Sequence, residues 1–120
     1  MLFDVQRTTV AGRPALTVRG ELDIATAPRL AEAAEAVFAG SPAALVVDLT
    51  PTQFLDSSGA RSLFLLARRA AVEGVAFHVV APRSNRTIRL PIDLMELDQV
   101  VHIVNSAAEL PGTAAGRDGT

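Results

Sequence analysis

At 120 residues, with 49% hydrophobic and 20% charged residues spread along its length, the chain reads as one soluble domain with its own core, which excludes a multidomain enzyme and a disordered polypeptide. Its 13 acidic residues face 11 basic ones, all of them Arg, and a net charge of -2 leaves no footprint for nucleic acid or an anionic membrane. The absence of Cys excludes disulfides and thiolate metal sites, and without an apolar run of signal-peptide or bilayer-spanning length the chain reads as cytoplasmic.

A weak strand is predicted from about Phe3 to Val10, then a turn at Ala11-Gly12-Arg13. From Pro14 to Leu22, Leu16, Val18, Gly20 and Leu22 alternate with Thr17, Arg19 and Glu21, the period of a strand with one buried face. The chain therefore opens on a hairpin. Thr26 is the predicted cap of a first helix with Pro28 in its first turn. Leu30, Ala33, Ala34, Val37 and Phe38 form its apolar stripe, and Gly40-Ser41-Pro42 stops it. The run from Ala44 to Leu49 reads as a central strand buried on both faces.

Residues Thr50 to Asp56 read as a loop. A second helix is predicted from about Ser58 to Glu73, with Leu63, Leu66, Ala67, Ala70 and Ala71 as its core stripe. Val75 to Val80 is a buried strand, and Asn85 to Asp98 a helix that Pro91 should break or kink. Val100 to Val104 reads as the last strand, and Ser106 as the cap of a short helical turn. From Pro111 no large apolar residue remains, so a domain over residues 1–110 followed by a disordered tail over 111–120 is expected. Alternation of this kind gives an α/β fold with parallel strands joined by helical crossovers.

Two polar segments interrupt this pattern, each between a strand end and a helix start: Gly20-Glu21-Leu22-Asp23 with Thr26, and Phe54-Leu55-Asp56-Ser57-Ser58-Gly59. In open α/β sheets, ligand and modification sites lie beyond the carboxyl ends of strands. Taken alone, Asp56 to Gly59 reads as a capped helix start. It also reads as a regulatory serine, because a phosphate at a helix N-terminus meets free N–H groups and the positive end of the dipole.

With Leu49 between them, these two motifs resemble the STAS-domain family, specifically bacterial anti-sigma-factor antagonists, over roughly Phe3 to Leu110. The resemblance implies a single domain with a mixed sheet, an N-terminal hairpin plus parallel strands, and about four helices largely on one side. It implies a partner, an anti-sigma factor that is also a serine kinase with a histidine-kinase-like ATPase fold. Unmodified antagonist captures that kinase and frees the sigma factor; phosphorylation ends the capture, and a serine phosphatase restores it. In the family pattern the modified serine directly follows the Asp, which is Ser57 here. Asp56 matches the adjacent carboxylate and Asp23 the acidic position of the neighbouring loop, with Thr26, Ser58 and Gly59 in the same partner-binding patch.

The chain departs from the pattern at Gly59-Ala60-Arg61, where the family often has Gly-Leu-Gly, and at Pro91. Arg61, Leu65, Arg68 and Arg69 fall opposite the core stripe of the second helix. Of these, Arg61 and Leu65 suit the centre of a docking surface, although a solvated face explains the same spacing. A serine nucleophile would need a base, and the only two His, His78 and His102, sit in predicted strands. With no Lys there is no Ser-Lys dyad and no P-loop. The expectation is a regulator without catalytic residues, cofactor or metal. A STAS scaffold in another partner-switching or sensory complex is the alternative.

Overall fold

A computed structural model describes residues 2–111. β1 (Asp4–Val10) runs antiparallel to β2 (Arg13–Leu22), with Val10 opposite Arg13. Ala11 and Gly12, at φ of 51° and 78°, make the turn; two left-handed residues match the twist of the flanking strands.

β2 organises the sheet. Its first half pairs parallel with β3 (Ala44–Asp48). From Gly20 to Leu22 it pairs parallel with β4 (Thr52–Leu55), with a register shift between Gly20 and Glu21. β5 (Ala76–Val80) lies beside β3, and β6 (Ile103–Val104) beside β5, giving the order β1-β2-β3-β5-β6 with β4 on β2 alone. This is the expected mixed sheet of a hairpin and parallel strands.

The apolar stripes of α1 (Ala27–Phe38), α2 (Ser57–Glu73) and α3 (Arg86–Leu94) pack on one face of the sheet. Leu30, Val37, Leu63, Ile88 and Ile92 meet Leu16, Val18, Leu45 and Val47 there. Each such side chain contributes about 1.5–3 kcal/mol by leaving water. On the other face Ala15, Val46, Val80 and Val104 are closed over by Leu110. Arg13 donates to the carbonyl of Pro111 and holds that end of the chain against β2.

Several local expectations are corrected. The segment read as a loop contains β4, whose buried Thr52 donates its hydroxyl to the Val18 carbonyl at 2.7 Å. The last strand is two residues long, so His102 lies before it and is exposed. Ala71 is exposed, because it lies past the edge of the α2 stripe. Pro91 stays inside α3, where one missing N–H costs a single bond; the chain breaks at Glu96, at φ 53°, before a 3-10 turn over Leu97–Gln99. The described chain thus has three α-helices and two 3-10 turns where about four helices were expected; the turn after Ser106 is 3-10 and its side chain does not cap it. Except for Pro111, the expected tail lies outside the described residues.

Candidate functional site

The parallel pairing of β2 with β4 brings the two polar segments together. Glu21 lies opposite Phe54, Leu22 opposite Leu55, and the Asp56 N–H donates to the Leu22 carbonyl at 3.4 Å. Chain reversal after each strand then starts α1 and α2 on the same edge.

Asp23 and Thr26 stabilise the first loop rather than a helix end. Oδ1 of Asp23 accepts from the backbone N–H of Ala25 at 3.0 Å and of Thr26 at 3.1 Å. The Thr26 hydroxyl donates to the Glu21 carbonyl at 2.7 Å and accepts from the Asp23 N–H at 2.9 Å. Thr26 stands at the N-cap position of α1, but its side chain caps nothing. The carboxylate of Asp23 is already fixed by two backbone donors, so its remaining lone pairs point from a rigid loop.

Asp56 is the N-cap of α2: its backbone is extended and Oδ1 accepts from the Gly59 N–H at 2.9 Å. Ser57, the first residue of the helix, is exposed, and its hydroxyl has no hydrogen bond among the described residues. Ser58 is half-buried. The two serines are thereby distinguished by access. Gly59 is buried, and a Cβ there would stand 2.2 Å from the Leu22 carbonyl oxygen and 2.6 Å from Cδ1 of Leu55. It offers no side chain to a partner. Its part is to let α2 lie directly on the end of β2, which sets Ser57 beside the first loop.

Arg61 is exposed one turn along α2 and separates two cavities. One, of about 450 Å³, runs between α1 and α2, lined by Ile24, Pro28, Ala31, Ser58, Arg61 and Leu65 among others. The second, of about 380 Å³, is walled by Ser57, Ser58, Arg61, Phe64, Met95 and Val100 among others. Ile24 is 76% exposed, Leu65 45%, Met95 44% and Val100 57%, so apolar side chains flank the start of α2 on two sides; Ser57 lines the second cavity alone, Ser58 both. That density of exposed apolar surface beside polar groups suits a docking face.

At the far end of the first groove Arg69 bonds Glu35 of α1 and, at 3.2 Å, Glu73 of its own helix. It also lies 5.3 Å from the centre of the Phe38 ring. Arg69 is therefore a tie between α1 and α2, whereas Arg61 and Leu65 stay free of such partners among the described residues. Ile24, Phe64, Met95 and Val100 were not anticipated as site residues. Ile24 left one trace in the sequence: a large apolar residue between Asp23 and Ala25, off any helix stripe.

Among the described residues no helix is long and apolar enough to cross a membrane, and no group of three or more His, Cys, Asp or Glu is placed to hold a metal. The STAS domain family model matches residues 4–110. The anti-sigma-F factor antagonist RsfB of Mycobacterium tuberculosis is 37% identical over 107 residues, covering 88% of this chain and 85% of the relative. A crystal structure of an anti-sigma factor antagonist from Mycobacterium paratuberculosis superposes with a TM-score of 0.77 at 34% identity, covering 88% of this chain and 87% of that one. The Bacillus cell fate determinant SpoIIAA, in its phosphorylated form, shares the fold at a TM-score of 0.52 and 21% identity, over 86% of this chain and 91% of its own. By the family match, the curated relative and the shared fold together, this chain belongs to the STAS-domain family.

Proposed function

We propose that the protein is a bacterial anti-sigma factor antagonist that captures its anti-sigma factor on the face around Ser57, and that phosphorylation of Ser57 ends the capture. The relatives support the first part, being named antagonists of anti-sigma factors. One observation supports the second: Ser57 stands exposed at the first position of α2, on the wall of the apolar cavity that Met95 and Val100 also line, whereas Ser58 is half-buried.

The partner is then a serine kinase with a histidine-kinase-like ATPase fold, which brings the ATP, since this chain has no Lys for a P-loop. In the transfer, the Oγ–P bond forms as the bond between the β-bridging oxygen and the γ-phosphorus of ATP breaks. ADP leaves, and the hydroxyl proton passes to a base of the kinase or to solvent. The new group carries about -1.5 to -2 charge. The fold accepts it, because free N–H groups and the helix dipole favour an anion at this end. A docked partner does not: the phosphate lies beside the Asp56 carboxylate and must be desolvated next to Met95 and Val100. Arg61, at i+4 from Ser57, is placed to pair with the phosphate and so to turn it away from the kinase. A serine phosphatase resets the switch.

Affinity for the cognate anti-sigma factor tests this reading. Calorimetry is expected to give Ser57→Ala wild-type binding that ATP does not weaken, and Ser57→Asp a Kd at least tenfold higher with an unchanged circular dichroism spectrum. Equal binding by both variants would contradict the proposal. Capture of a partner unrelated to sigma control would instead favour a scaffold role.

A further inference from the structure

Arginines on the turn before α3 and on its first two turns converge on one cavity. Arg83, Arg86 and Arg89 line a space of about 240 Å³ together with Leu90 and Asp93. Arg86 and Arg89 share a helix face at i, i+3. Arg83 is anchored through its backbone N–H, which donates to Oδ1 of Asn105 at 2.7 Å.

Arg89 is only 6% exposed. One of its Nη atoms donates to the Ala81 carbonyl at 3.2 Å, while its buried Nε has no partner. None of the three arginines forms an ion pair among the described residues, although Asp93 lines the same cavity. Three cations against one carboxylate leave two positive charges there. A buried guanidinium without a counter-charge is costly, and the usual remedy is an anion with several acceptor atoms.

Helix α3 adds to the imbalance. It has no acidic residue in its first turn, and the side chain of its N-cap, Asn85, donates to the Thr52 carbonyl at 2.7 Å instead of capping the helix. Arg86, at the first helical position, therefore stands at the positive end of the dipole. Local charge is arranged against the helix, and an anion would relieve it.

We infer that this cavity binds a phosphate group, carried by inorganic phosphate or by a small phosphomonoester. Planar guanidinium donors match tetrahedral oxyanions. Its volume lies below the roughly 300–1,000 Å³ of pockets that enclose a drug-sized ligand, so the occupant is one phosphoryl group on a short attachment and not a nucleotide. None of the cavity's residues belongs to the Ser57 face, so the assignment stands apart from the phosphoserine switch.

The full ¹⁵N-labelled chain, titrated with sodium phosphate, with glycerol 3-phosphate and with sodium chloride at matched ionic strength, tests it. The Nε–Hε resonance of Arg89 and the backbone amides at the start of α3 are expected to shift saturably with phosphate or glycerol 3-phosphate but not with chloride. Tighter saturation by glycerol 3-phosphate assigns the ester, tighter saturation by phosphate the free ion. The exposed pair Arg83→Gln and Arg86→Gln together should raise Kd at least tenfold while the melting temperature without phosphate stays unchanged, and Asp93→Asn should lower it. Shifts that chloride reproduces, or saturable shifts that survive the Arg83→Gln, Arg86→Gln pair unchanged, would overturn the assignment.

Discussion

Asp56 and Gly59 hold Ser57 in place by different means, one by a hydrogen bond and one by having no side chain. Asp56→Ala removes a helix cap and should cost about 1 kcal/mol, read as a lower urea midpoint. Asp56→Asn keeps the cap and loses the charge, so its midpoint should stay near wild type. Gly59→Ala places a Cβ against backbone that cannot step aside, and a loss of at least about 1–3 kcal/mol is expected. A wild-type midpoint for Gly59→Ala would mean that α2 does not lie on Leu22 as described. The Asp-Ser-Ser-Gly string was legible as a helix start. The reason for its glycine was not, because Leu22 lies far back in the chain and meets Gly59 only once β2 and β4 have paired.

Helix α2 separates core from proposed docking face cleanly enough to test by substitution. Leu63 is fully buried, and Leu63→Ala should cost about 2–5 kcal/mol. Leu65 is 45% exposed; Leu65→Ala should leave stability within about 0.5 kcal/mol and still weaken binding of the anti-sigma factor, measured by calorimetry. Arg61→Glu is expected to do the same. Undiminished binding by both would move the docking face elsewhere. Helical periodicity made α1 and α2 readable, since their stripes repeat over three or more turns. β4 was not readable: it is four residues long, its buried ends Thr52 and Leu55 do not alternate, and its pairing with β2 carries a register shift between Gly20 and Glu21. The break at Glu96 escaped for a related reason, since the proline that marks most helix ends lies upstream of it.

At the scale of the whole molecule, two charge effects remain. His78, buried on β5, places Nδ1 2.8 Å from Nδ1 of His102. One nitrogen donates and the other accepts, so the contact holds one proton and not two. Burial first, then the charges of His102 and Arg13, hold the His78 pKa below its ordinary 6.5. The unfolded chain therefore takes up this proton at higher pH than the folded one. The stability it contributes is complete above pH 6.5 and is lost as pH falls from there toward the lowered value. Urea midpoints at pH 7.5 and 5.5 should differ less for His78→Gln than for wild type, and an equal difference would refute the coupling.

The second effect is that of the proposed phosphorylation, because about -1.5 to -2 on a chain of net charge -2 would roughly double it at a single side chain. Composition already told that this chain brings no Lys for ATP, and the fold places the exposed Ser57 hydroxyl at the start of α2 beside an apolar cavity. The claim that Ser57 is the switch is tested most directly by mapping phosphate with tandem mass spectrometry after incubation with the cognate kinase and ATP. One phosphate on Ser57, with Ser58 unmodified, is the predicted result. Phosphate confined to Ser58, or none at all, would contradict it.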